Sequence, residues 1–150
     1  MNRNPYNKGG YGGGYHSHHN EPEAKSLVEG KVDKILNLQD ESVEEFIKTA
    51  EDCAKKFKGI SSSKVRDFYD YVKSIEKYNK VKLHLLKPKI AYAVGRADKK
   101  DNKYSLQCFQ KTMEDLINKT NDDKQFNNFK KFFEAIIAYH KIHGVKQKWN

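Results

Sequence analysis

From Ala24 onward, apolar residues recur about every 3.6 positions and nowhere alternate with polar ones over the length of a strand. That regularity restricts the chain to an all-α fold, a compact bundle of about five to six helices, each burying one stripe against the others. The stripes can be written out. Leu27, Val28, Val32, Ile35 and Leu36 form the first. Val43, Phe46, Ile47, Ala50, Cys53, Ala54 and Phe57 form the second, opened by Ser42-Val43-Glu44-Glu45 as a capping box and stopped at Gly59. A third helix follows the Ser61-Ser62-Ser63 cap signal with Val65, Phe68, Val72 and Ile75 inward. Pro88 either starts a new helix in its first turn or kinks a long one. Ser105 is expected to cap a helix bearing Leu106, Phe109, Met113 and Leu116. Asn121-Asp122-Asp123 opens the last, with Phe126, Phe129, Phe133, Ile136, Ile137 and His140 inward and Gly144 as stop.

Residues 1–23 stand outside the pattern, so residues 24–150 are expected to form the single helical domain. The first twenty hold most of the glycines, together with Tyr6, Tyr11, Tyr15, His16, His18 and His19. Such a composition reads as a disordered, flexible tail. Three imidazoles on a glycine tether form no rigid metal shell, so a linker, or weak stacking of its tyrosines on nucleic acid, is the better reading.

No apolar run approaches the roughly 18 residues that cross a bilayer, and Met1-Asn2-Arg3-Asn4-Pro5 lacks the apolar stretch of a secretory signal, so the expected location is cytoplasmic with no membrane partner. Cys53 and Cys108 both fall on apolar stripes and read as reduced core thiols. Enzyme chemistry finds little support. The glycine runs lack the Lys-Ser/Thr of a phosphate loop, and no cysteine pairs stand at zinc spacing. His140 and His143 are three apart on a helix, as a metal-dependent nuclease could use, but His140 falls on the core stripe and no third ligand is in register. Glu44-Glu45 and Asp122-Asp123 sit at helix starts, where the helix dipole accounts for them. No cofactor is expected.

The 150 residues carry 29 Lys and Arg against 20 Asp and Glu, a net charge of +9. The surplus is concentrated. Residues 24–52 carry 4 basic and 8 acidic side chains, 53–111 carry 16 and 5, and 112–150 carry 7 and 5. The second helix is therefore an acidic flank and the middle of the chain a basic one. At about 100° per residue, Arg66, Lys73, Lys77 and Lys80 fall within roughly 40° of one line along a continuous third helix, interrupted by Asp70. Lys89, Tyr92 and Arg96 share a face beside an Ile90, Val94, Ala97 core stripe, with Gly95 small enough for another backbone to approach. Cations around an aromatic suit a nucleic-acid strand, where they displace counterions and the ring stacks on a base or sugar. They equally suit a helical protein-protein interaction module whose basic face binds acidic protein partners, or a merely solvated face.

Three phrases carry a family resemblance: Ser61-Ser62-Ser63-Lys64-Val65-Arg66-Asp67-Phe68-Tyr69, Leu86-Lys87-Pro88-Lys89-Ile90-Ala91-Tyr92-Ala93-Val94-Gly95-Arg96, and Phe132-Phe133-Glu134-Ala135-Ile136-Ile137-Ala138-Tyr139-His140-Lys141-Ile142-His143-Gly144. In this order and spacing the chain resembles the small α-helical subunit of type III-A CRISPR effector complexes, the Csm small subunit. The resemblance implies a non-catalytic RNA-binding subunit of an antiviral ribonucleoprotein. Several copies would stack along the guide-carrying backbone subunits, supporting target RNA on the guide. Target-RNA cleavage would belong to the backbone subunits, and DNA cleavage and cyclic oligoadenylate synthesis to the large subunit. The implied partners are the guide RNA-target RNA duplex, the backbone and large subunits, and other copies of this chain. A two-fold homodimer is expected in isolation. The resemblance makes Lys64, Arg66, Lys87, Lys89, Arg96, Lys131 and Lys141 the candidates for RNA-backbone contact, and gives Tyr92 and Tyr139 the task of packing and orienting their helices. The Gly/Tyr/His tail has no counterpart in the family.

Overall fold

The broadest apolar stripe of the sequence lies at the centre of the fold. The computed structural model describes residues 22–98 and 100–143, so residues 1–21 of the expected tail and the expected stop at Gly144 lie outside the described residues. The helices are α1 (Val32–Leu36), α2 (Val43–Lys56), α3 (Ser62–Lys73), α4 (Lys80–His84), α5 (Leu86–Arg96), α6 (Lys100–Lys119) and α7 (Asp123–His143), with a 3₁₀ turn at Asp40–Ser42. Among the described residues there is no strand, and no helix is long and apolar enough to cross a membrane.

Helix α7 packs against α1, α2 and α3, most extensively against α2, while α6 packs against α5 and α1. Three neighbours demand a wide stripe. Besides the expected Phe126, Phe129, Phe133, Ile136 and His140, α7 buries Phe132 and Asn128, while Ile137 is only partly buried. Phe133 meets Tyr69 at 5.3 Å, Phe109 at 5.9 Å and Phe129 at 6.2 Å between ring centroids, edge to face in each case. Such pairs add about 0.5–1.5 kcal/mol each beyond the area they bury. Phe109 in turn contacts Phe57 and Phe68, so one aromatic cluster ties α3, α6 and α7 to the end of α2. Cys53 and Cys108 are free and buried, as expected, and burial, with Asp52 beside it, pushes the Cys53 thiol up to about 12.

Helix starts follow local chemistry. Ser61 Oγ accepts from the Lys64 N–H at 3.2 Å, Asn79 Oδ1 from Lys82 at 2.9 Å, and Asp122 Oδ1 from Gln125 at 2.8 Å. Helix ends do not. Among the described residues the only positive φ is at Gly30, 78°, in the turn before α1, so no helix closes on a left-handed glycine. Side chains from distant helices close them instead. The Asn128 amide donates to the Leu36 carbonyl at 2.7 Å, His140 Nε2 to Phe57 at 3.1 Å, and Ser105 Oγ to Lys56 at 3.3 Å.

Several expectations are corrected. Leu27 and Val28 precede α1 rather than belonging to it; the Leu27 N–H is held by Thr112 Oγ1 at 3.0 Å. Ser42 does not cap α2, because its hydroxyl accepts from the Gln39 N–H and so closes the capping box of the 3₁₀ turn instead, and Glu45 pairs with Lys34 at 3.4 Å. Ser105 lies inside α6 and closes α2 rather than opening a helix. Val43 and Ile47 remain 39% and 42% exposed, since α7 covers only one side of α2. The third helix ends at Lys73, where Ser74 Oγ donates to the Tyr71 carbonyl at 2.6 Å and competes with the helical ladder. Lys77 therefore lies outside any helix and Lys80 opens α4, so the straight line of four cations does not form. Pro88 starts a helix in its first turn: α5 begins two residues earlier, where a missing N–H costs nothing.

Candidate nucleic-acid interface

Helix α5 buries Leu86, Ile90 and Ala93, whereas Val94 and Ala97 are only partly covered, so its core stripe is rotated from the expected one. The opposite side carries Lys89, Tyr92 and Arg96 together, as their spacing predicts. All three are exposed. A Cβ at Gly95 would meet nothing within 4 Å, so no backbone approaches there.

Helix α3 packs beside α5, and between them runs an open groove of about 490 Å³ lined by Asp67, Phe68, Tyr71, Pro88, Lys89 and Tyr92. Its cations lie over its rings: Lys89 Nζ is 4.8 Å from the Tyr71 centroid, and the Arg96 guanidinium is 5.6 Å from that of Tyr92, with Nη1 donating to the phenol oxygen at 3.2 Å. Tyr71 is fixed by its own hydroxyl, which donates to the Lys82 carbonyl at 2.6 Å. Lys64 stands three, four and seven residues before Asp67, Phe68 and Tyr71, which puts it on the side of α3 that faces the groove. Tyr71 was missed in the sequence, although it stands four residues after Asp67 and seven after Lys64.

The seven candidate cations are thus divided. Lys89 lines the groove, Arg96 stands over its Tyr92, and Lys64 shares the groove side of α3. Lys87 points the other way, its ammonium bonded to Asn118 on α6. Arg66 lies on the far flank of α3, where its charge partly offsets the burial and the Glu134 carboxylate that push the Tyr69 phenol up. Lys131 and Lys141 are exposed on α7, which contributes nothing to the groove lining. Of the two tyrosines expected to pack, Tyr139 lies against the core and Tyr92 does not, being 66% exposed. A second basic depression, missed as a cluster, lies at the end of α2 with Lys55, Lys56, Lys58 and Tyr104 among its lining residues. At the end of α4, burial and the cations Lys87 and Lys80 hold His84 below the ordinary histidine range.

The histidines of α7 do not converge on a metal. His140 is buried on the Phe57 carbonyl, and His143 Nε2 meets Glu51 Oε2 at 2.9 Å. Among the described residues no group of three His, Cys, Asp or Glu side chains could hold a metal ion.

No curated protein and no solved structure matches the chain. The family model described as Csm2 Type III-A matches residues 40–146, which takes in α2 through α7 and the whole groove. An all-helical chain matched over that span belongs to the Csm2 family, the small subunits of the type III-A CRISPR Csm complex.

Proposed function

We propose that this chain is a non-catalytic RNA-binding subunit of its complex, working in the cytoplasm as one helical domain over residues 24–150. It holds the RNA backbone through Lys64, Lys89 and Arg96, with Arg66, Lys87, Lys131 and Lys141 as outlying contacts. The observation that carries this reading is the α3–α5 groove, where two cations and two tyrosines meet on the most basic part of the chain. Guide-target pairing reads the sequence in such a complex, so a supporting subunit needs only rigidly placed charge. The partners are the guide RNA-target RNA duplex, the backbone and large subunits, and further copies of the chain, with a homodimer in isolation. The outward side of α2, where Glu44 stands beside the exposed Val43 and Ile47, suits a neighbouring subunit with a basic flank.

Binding of RNA measured across a salt series tests the reading. Affinity falls steeply with salt, and the Lys64→Ala, Lys89→Ala, Arg96→Ala triple variant lowers the slope by roughly 0.7 for each phosphate contact removed. An unchanged affinity and slope refute the groove assignment. Binding of acidic proteins but no RNA by the unaltered chain favours the interaction-module reading instead.

A further inference from the structure

Tyr92 is 66% exposed and is not among the side chains packed against the core. On an outward helix face this exposure forgoes the stabilisation that burying a ring supplies. Its surroundings are organised nonetheless. Arg96 lies over the ring and bonds its hydroxyl, while Phe68, Tyr71 and Pro88 supply apolar walls beside it. The cations stand beside the rings: Lys89 over Tyr71 and Arg96 over Tyr92, with Lys64 on the same side of α3 as Asp67 and Tyr71. Asp67 is the one carboxylate among the lining residues. It opposes a phosphate inside the groove, and it can accept from the exocyclic amine of a base. Apolar walls with a hydrogen-bond acceptor inside and cations at the margin describe a place for a base, with its phosphates outside.

We propose that the α3–α5 groove takes one unpaired nucleobase of an RNA strand, stacked on the open side of Tyr92, while Lys64, Lys89 and Arg96 hold the phosphates on either side of it. This rests on the RNA-binding reading and adds a requirement to it. Bases within a helix already have both faces covered by their neighbours, so only a base that has left the stack can enter. The groove therefore prefers strands with unpaired positions to continuous duplex, and it distinguishes RNA that carries bases from a bare ribose-phosphate chain.

The test uses the full chain at about 50 mM salt with three probes: a single-stranded RNA of roughly a dozen nucleotides, an abasic strand of equal length, and a blunt duplex. The unaltered protein binds the intact strand most tightly. Tyr92→Ala weakens that binding roughly 5- to 150-fold, the effect of losing one base-aromatic stack, and leaves abasic-strand affinity unchanged. Tyr92→Phe keeps the preference, because the ring and not the hydroxyl stacks. The proposal is overturned if Tyr92→Ala leaves the intact strand bound as before, or weakens all three probes equally. It is also overturned if the substitution alters only capture of the other Csm subunits, which would make the face a protein contact. If removing Lys64, Lys89 and Arg96 weakens all probes while Tyr92→Ala weakens none, backbone binding stands and the base site falls. If no probe binds the unaltered protein, both fall together.

Discussion

The seam between α2 and α7 and the groove between α3 and α5 are built to opposite rules. In the seam Phe46 meets Phe132 edge to face at 5.3 Å, His140 is bonded to Phe57, and His143 is bonded to Glu51. In the groove a tyrosine is mostly exposed and two cations have aromatic rings rather than carboxylates for company. The described residues contain no buried side-chain polar atom without a hydrogen bond, so the protein satisfies its interior fully and keeps its unused valence outside. On the reading proposed above, stability and binding fall to different helix pairs, and substitutions in one should leave the other alone.

The largest effect should come from the aromatic cluster that continues the seam. Phe133→Ala removes three ring contacts from a fully buried position and should cost about 3–5 kcal/mol in denaturant unfolding. A cost near 1 kcal/mol would mean that the cluster collapses into the space and that the seam is less tightly packed than its geometry indicates. His140→Ala leaves the Phe57 carbonyl without its partner and should cost about 2–3 kcal/mol, while His143→Ala, at a half-exposed pair, should cost less than about 1 kcal/mol. Reversal of that order would break the division between the buried and the open ends of the seam. The Lys64, Lys89, Arg96 triple variant should change stability by no more than about 0.5 kcal/mol while altering RNA binding. A large destabilisation would show that the groove cations are structural.

The smallest effect is one of pH. His84 titrates below its ordinary value of 6.5 in the folded chain, so as pH falls through that value the unfolded chain takes up the proton first. Stability should be fully present above pH 6.5 and decline below it, and His84→Gln should flatten that part of the profile. An unchanged profile would mean that neither burial nor the charges of Lys87 and Lys80 act on the imidazole.

Much of the fold was legible because periodicity is a local property. Phe126, Phe129 and Phe133 share a stripe whatever they touch, and Asp122 announces its helix by chemistry confined to one turn. The errors share a cause. Ser105 has the composition of a cap, and Ser42 has the spacing of one, but the role of each hydroxyl depends on which carbonyl tertiary packing brings near. The run of lysines after Arg66 was lost to one hydroxyl, that of Ser74, turning inward on its own backbone. Within the candidate site, Lys89, Tyr92 and Arg96 could be grouped from spacing alone. The pairing of Lys89 with Tyr71 could not, since the packing of α3 beside α5 is decided by the core beneath both helices. Tyr92 was misjudged because tyrosines on amphipathic helices usually find cover, and here no neighbouring helix passes over that face.

The side chains that close the helix ends also set an order of events. The residues joined in these bonds are 83 positions apart at Phe57 and 92 apart at Leu36, with the closing partner always the later one in the chain. During synthesis the carbonyls of Leu36 and Phe57 therefore stay open until α7 has been made, whereas that of Lys56 is closed earlier by Ser105 of α6. The domain is closed from its far end backward, its earliest helices being finished by its latest residues.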